Sequence, residues 1–308
     1  MRRLVSFLAC FGLWAAPAPA KDDPRLELVR EARCTDLFGD GHWEASGIEF
    51  DGTLLRVAFD NDWRVGVLDP SLDPESARLV EPVDPRQRGY SDLEGLAYDA
   101  QGRLWGCIEG ARLPSGEVHG LLVPFDAEGR PLAPRPFPFA LPDGGKGYEG
   151  LAAVERDGKV VLLALLEGNH GEGGKRGKDK GHGRIHAYVL DPESDALPEP
   201  QVLEIPETAD FKDYAGIDVD GDRVVIVSQA SSKVWVGELE PKSLTFKGKG
   251  QVYRMPLEGG AEKTTFDRVE GVVWLDARTL ACVSDRAQPD ESDAHDQAVH
   301  VFRLPAAE

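Results

Sequence analysis

The stretch Glu149-Gly-Leu-Ala-Ala153, with the turn Asp157-Gly158 and the β-prone apolar run 160–166 behind it, decides the fold because it recurs. Ser46-Gly-Ile-Glu-Phe50, Glu94-Gly-Leu-Ala-Tyr98, Ala215-Gly-Ile-Asp-Val219 and Glu270-Gly-Val-Val-Trp274 repeat it at intervals of about 50 to 65 residues. Self-similarity at a roughly fixed period marks a repeat architecture and has to be read before any single strand. Turns such as Asp51-Gly52, Gln101-Gly102 and Asp220-Gly221 lead from the motif into the β-prone runs 54–59, 104–108, 224–227 and 280–283. Two strands joined by a short Gly turn make a hairpin.

A third strand follows in every unit, at 65–68, 120–125, 185–190, 234–239 and 299–304. The first four units add a Pro-tolerant fourth strand such as 134–141, which suits an outer edge. Apolar spacing at the helical period is not sustained anywhere, which argues against an α/β fold. The expected fold is therefore an all-β propeller of five four-stranded blades, or six if the long third unit conceals another. The fifth unit runs out of chain after its third strand, so residues 25–33, ahead of the first repeat, are expected to supply its outer strand and close the ring. The repeated Gly is expected where innermost strands crowd the axis.

Residues 1–20 read as a secretory signal, with Arg2 and Arg3 ahead of an apolar stretch and Ala18-Pro-Ala20 at its end. Residues 21–308 then form one propeller domain, secreted or periplasmic and expected to be a monomer. The chain carries 54 acidic against 35 basic residues, a formal charge of −19. That field excludes nucleic acid as a natural partner and favours cations, and no later apolar run is long enough to insert in a membrane. Cys34, Cys107 and Cys282, without metal-site spacing, read as free buried thiols.

In a propeller, the loops entering innermost strands and those leaving second strands share one face. Glu94, Glu149 and Glu270 begin innermost strands, while Asp60, Glu109, Glu167 and Asp285 follow second strands, where the fourth unit has Ser228 and Gln229. So many carboxylates in one funnel repel one another, raising their pKa values unless a cation neutralises them. Ca²⁺, which takes six to eight oxygens, fits that chemistry. Glu94, Glu109, Glu149, Glu167, Glu270 and Asp285 are the candidate metal ligands. Two loops interrupt the repeat. Residues 168–183 gather Lys175, Arg176 and Lys178 with His170, a candidate anion-binding loop, and residues 286–297 contain Asp290-Glu-Ser-Asp293, His295 and Asp296, further candidate cation ligands.

The Glu94-Gly-Leu-Ala-Tyr-Asp99 step, the segments Tyr148-Glu-Gly-Leu-Ala152 and Ala164-Leu-Leu-Glu-Gly-Asn169, and the ending Ala298-Val-His-Val-Phe-Arg-Leu304 resemble secreted bacterial propellers of the phytase-like, "esterase-like activity of phytase" group. The resemblance covers residues 46–304. It implies Ca²⁺ in an acidic central funnel where phosphomonoesters are hydrolysed. At matching positions it touches Glu94, Glu149 and Glu270 at the strand starts and Glu109, Glu167 and Asp285 opposite them. Ser46 and Ala215 depart from the pattern, so a full multi-calcium set is not carried over. The expected function is a Ca²⁺-dependent hydrolase of phosphate or carboxylate esters. Glu149, Glu167 and His170 would carry protons, and Lys175, Arg176 and Lys178 would hold a small anionic substrate. The alternative is a non-catalytic propeller that binds a ligand or protein on the same face.

Overall fold

Short turns fold each β-prone run back on the one before it, and the result, in a computed structural model, is twenty strands in five four-stranded sheets. The structure describes residues 23–84, 91–142, 146–191, 197–259, 261–287 and 294–306. The signal segment and its cleavage point lie outside the described residues.

Strand β1 (Glu27–Arg33) comes first in the chain but belongs to the last blade. Blade 1 holds β2 (Ala45–Phe50), β3 (Leu55–Phe59), β4 (Asp62–Leu68) and β5 (Arg78–Val80); blade 2 holds β6 (Leu93–Tyr98), β7 (Leu104–Arg112), β8 (Val118–Pro124) and β9 (Arg135–Leu141). Blade 3 holds β10 (Tyr148–Arg156), β11 (Lys159–Leu166), β12 (Arg184–Val189) and β13 (Gln201–Glu204). Blade 4 holds β14 (Gly216–Asp220), β15 (Arg223–Ser228), β16 (Lys233–Leu239) and β17 (Phe246–Arg254). Blade 5 holds β18 (Val269–Trp274), β19 (Thr279–Ser284) and β20 (Ala298–Arg303), with β1 as its outer strand.

β1 pairs antiparallel with β20 from Glu27 against Arg303 to Arg33 against Ala298, so the chain's first strand closes the ring as the missing fourth strand implied. The closure is sealed by polar groups as well. Arg33 pairs with Asp296, and the Glu31 carboxylate lies 2.6 Å from His295 Nδ1 and 2.8 Å from His300 Nδ1. There are five blades and not six. The extra length of the third unit is a folded loop and not a sixth sheet. Cys34, Cys107 and Cys282 are free and buried, and Cys34 opens the five-residue helix α1 (Cys34–Phe38), directly after β1, in which Leu37 is also buried. No helix among the described residues is long and apolar enough to cross a membrane.

The apolar core is five wedges, each between neighbouring blades. Trp43, Val57 and Phe59 of the first unit meet Val283 and Val301 of the fifth, and Tyr148, Leu162 and Leu166 of the third meet Cys107, Leu122 and Phe137 of the second. At the axis the wedge narrows until only backbone fits. A Cβ on Gly47 would lie 2.7 Å from Glu94 O; on Gly95, 2.5 Å from Leu151 N; on Gly216, 2.3 Å from Glu270 O; and on Gly271, 2.7 Å from Ser46 O. Gly150 packs against Gly216 and Ile217 in the same way. Each repeated Gly thus touches the innermost strand of the next blade, and the contacts run once around the ring. The space left at this waist is a cavity of about 10 Å³, room for about one water. A ligand must act at the end of the axis, not inside it.

Candidate functional site

The residue before each ring glycine owes its position to a register shift. The innermost and second strands slip between Ala45 and Gly47, between Leu93 and Gly95, between Tyr148 and Gly150, and between Val269 and Gly271. Ser46, Glu94, Glu149 and Glu270 are therefore the extra residues of four bulges, a device that re-aims a side chain and ends regular pairing. They line the end of the waist cavity or its mouth: Ser46, Glu94 and Glu149 border the cavity itself.

The acidic groups expected around this mouth do act on one another. Burial, then Glu149, Asp60, Asp92 and Glu109, pushes the Glu94 carboxyl well above its usual range. Glu149 is raised by burial and by Glu109, Glu270 and Asp213, with Lys146 opposing. Glu270 is raised by burial, Asp285, Glu94 and Asp60, partly offset by the nearby Ser46 hydroxyl. Asp60 is raised to about 8 by burial and Glu44, and Asp285 to about 6 by burial, with the Arg286 backbone N–H opposing and Glu44 adding to the rise. Desolvation and like charge both disfavour the anion here.

One side of the mouth is already arranged as a ligand set. Oxygens of Glu109, Glu149 and Glu167 lie within 4.8 Å of one another. Glu109 accepts from Gly147 N–H at 3.2 Å, Glu167 pairs with Lys146, and Glu149 accepts no hydrogen bond from the described residues. Ca–O bonds of about 2.3–2.6 Å allow two ligands to stand up to about 5 Å apart, so the trio lies within reach of one shared Ca²⁺. Two orphaned atoms suit a cation too. Ser46 is 2 % exposed, and its Oγ and Asp60 Oδ1 are buried without a hydrogen-bond partner. An unsatisfied buried oxygen costs about 1–3 kcal/mol, which a ligand would relieve.

Three acidic members of the mouth escaped the sequence reading: Glu44, Asp92 and Asp213. Each stands two residues before the residue that precedes a ring glycine, ahead of Ser46, Glu94 and Ala215, so a second column of the same repeat held the signal. Blade 4, with Ala215 at its strand start, contributes differently. Ser228 Oγ donates to Asp213 at 2.5 Å and the Gln229 amide donates to Glu270, so its neutral side chains serve neighbouring carboxyls.

The loop 168–183 is folded, and the buried Asn169 organises it. Its amide donates to Gly177 O, Phe211 O and Lys212 O at 3.1–3.3 Å, and its Oδ1 accepts from His182 N–H at 2.9 Å. His170 sits in this loop against Asp179 and His182, and it is not among the groups acting on the mouth carboxyls. Lys175 and Lys178 are exposed, while Arg176 pairs with Glu172 at 2.8 Å. The other loop departs from expectation. Residues 288–293, with the acidic run Asp290 to Asp293, lie outside the described residues. Asp296 and His295 are not free for a cation, because Asp296 pairs with Arg33 and His295 bridges Glu31 and Glu258.

No family model matches the chain, and no curated relative matches it. Solved structures do share its fold. A GH43_1 enzyme from Xanthomonas citri complexed with xylotriose aligns over 91 % of this chain and 91 % of its own with 13 % identity and a TM-score of 0.55. CoXyl43, a GH43 β-xylosidase/α-arabinofuranosidase from a compost microbial metagenome, in a calcium-free form, aligns over 92 % of this chain and 96 % of its own with 12 % identity and a TM-score of 0.54. At such identities the likeness establishes the propeller fold, a fold that carries enzymes.

Proposed function

We propose that this chain is a secreted, monomeric, Ca²⁺-dependent hydrolase of phosphate or carboxylate esters that works at the acidic mouth of the propeller. The observation that carries the reading is the Glu109–Glu149–Glu167 trio, three half-buried carboxyls whose oxygens lie within 4.8 Å of one another. These three would hold the ion, with Glu94, Glu270 and Asp285 completing the acidic surround. Bound calcium would polarise the scissile group and acidify a water. Glu149 would take a proton from that water and return one to the leaving group. Lys146 positions Glu167, and the exposed Lys175 and Lys178 can meet the substrate's anionic end.

The test is metal analysis of untagged protein, then phosphate and carboxylate esters assayed with chelator and after Ca²⁺ is restored. Turnover should vanish with chelator, return with Ca²⁺, and be lost in Glu149→Gln while the protein stays folded. Bound metal without turnover on any ester would make this a binding propeller. Cleavage of xylo-oligosaccharides indifferent to chelator would point instead to a metal-free carboxylate pair of the glycoside-hydrolase kind.

A further inference from the structure

We propose that the blade 3 loop is a second metal site, in which His170, Asp179 and His182 bind a first-row transition ion of the Zn²⁺ class and leave a fourth position to water or an anion. The three residues offer two imidazole nitrogens and one carboxylate oxygen, all within 4.8 Å of one another. His170 Nε2 lies 3.4 Å from Asp179 Oδ2. Bonds of about 2.1 Å at a tetrahedral angle place two zinc ligands about 3.4 Å apart, so that pair already stands at the required separation. No gap has to close by more than about 1.4 Å to reach it, within reach of a swing of the exposed Asp179 side chain and a turn of the His182 ring.

The donor set separates this site from the mouth. Two imidazoles with one carboxylate select zinc or a neighbouring transition ion, whereas Ca²⁺ takes oxygen ligands. Three protein ligands with an open fourth position is the arrangement of zinc sites that exchange a ligand. The open position falls in a loop that also carries Lys175 and Lys178, which favours a small anion there.

The backbone is built around these side chains. His170 holds a left-handed conformation, φ 59°, which a non-glycine residue rarely adopts. Its N–H donates to His182 O at 2.7 Å, which holds the two rings side by side with centroids 4.1 Å apart and planes 22° from parallel, so that one ring must turn out of the stack for both to face one ion. A Cβ on Gly168 or Gly177 would come within 2.2 Å of Glu172 O, so the loop closes on itself with no room for side chains there. Asn169, fully buried, ties both halves together. The loop is thus held by polar bonds around a paired imidazole set, and a shared metal supplies the cross-link that an apolar core otherwise provides.

Untagged full-length protein, stripped with chelator, would be titrated with Co²⁺ and Zn²⁺ while the visible d–d bands of Co²⁺ are followed. One ion per chain should give a tetrahedral spectrum that Zn²⁺ displaces and excess Ca²⁺ does not. Glu149→Gln should leave this spectrum unchanged, which separates the site from the mouth. His182→Ala and Asp179→Asn should each weaken Zn²⁺ binding more than about tenfold, with melting curves confirming that the variants remain folded. No tetrahedral spectrum, or Zn²⁺ affinity equal to wild type in folded His182→Ala and His170→Ala, would overturn the proposal.

Discussion

The propeller axis has two acidic ends, and they use their carboxyls in opposite ways. Away from the mouth, beyond the glycine waist, Glu49 and Asp218 are buried, yet backbone donors serve both. Asp218 accepts from Val219 N–H at 2.6 Å and from Trp274 N–H, in the next blade, at 2.8 Å. Glu49 accepts from Phe50 N–H at 3.0 Å. At the mouth, the buried Glu94 and the half-buried Glu149 accept no hydrogen bond from the described residues, and the carboxyls around them add like charge. A buried carboxyl that staples two blades is architecture. A cluster in which Glu94 and Glu149 gain like charge while accepting no hydrogen bond from the described residues has the character of a binding site.

The waist between the two ends should be the most sensitive point. Gly216→Ala drives a methyl against the backbone oxygen of Glu270, which no side-chain rotation can relieve. The expected loss is about 3 kcal/mol, read from denaturant or thermal unfolding. A variant as stable as wild type would mean that the blades can part at the axis, and that the two ends are not isolated from each other.

A smaller effect should separate the ends directly. Asp218→Ala strands two backbone N–H groups, one on each of two neighbouring blades, and should cost about 2 kcal/mol. Glu94→Gln, which keeps the shape and removes the charge, should change the stability of chelator-treated protein by less than about 0.5 kcal/mol or raise it. Equal losses from both substitutions would erase the distinction between a stapling end and a binding end.

The smallest effect is in pH. Asp60 and Asp285 have folded-state pKa values of about 8 and about 6 against an ordinary 3.8, raised first by burial and then by their acidic neighbours. Below those values and above 3.8 the folded chain holds more protons than the unfolded one, so stability falls as pH rises through that window. His300 and His186 are lowered by burial, His186 to about 4, and they push the other way up to about 6.5. In chelator, the melting temperature should therefore drop between about pH 6.5 and pH 8, where the two histidines no longer oppose the raised carboxyls, and saturating Ca²⁺ should flatten the part of that drop that comes from the mouth. A melting temperature that stays level or climbs across that interval without metal would show that the mouth carries no trapped protons.

The repeat of a Glu-Gly step, a Gly turn and a β-prone run narrowed the blade count to five or six and determined the strand order and the closing role of the N-terminal segment, because alternating burial and turn chemistry are local properties that a linear sequence displays. It also pointed to Glu94, Glu149, Glu270, Asp60 and Asp285 as carboxyls of one face, though not to Glu44, Asp92 and Asp213, since a repeated position in a ring becomes a shared place in space. Only the tertiary structure decided how those carboxyls are served. Glu49 and Glu94 are similar letters in similar strands, but the bulge before the ring glycine turns one toward the mouth while the other meets a backbone N–H. It likewise decided that His295 and Asp296 bind the closing strand, since their partners Glu31 and Arg33 lie more than 260 residues away. Cys34 became the start of a helix because the closing strand must turn inward after Arg33 to reach the first blade. The same holds for His170 and His182, whose pairing depends on Asn169 reaching a neighbouring blade: distances across the fold settle what a side chain touches, and no periodicity encodes them.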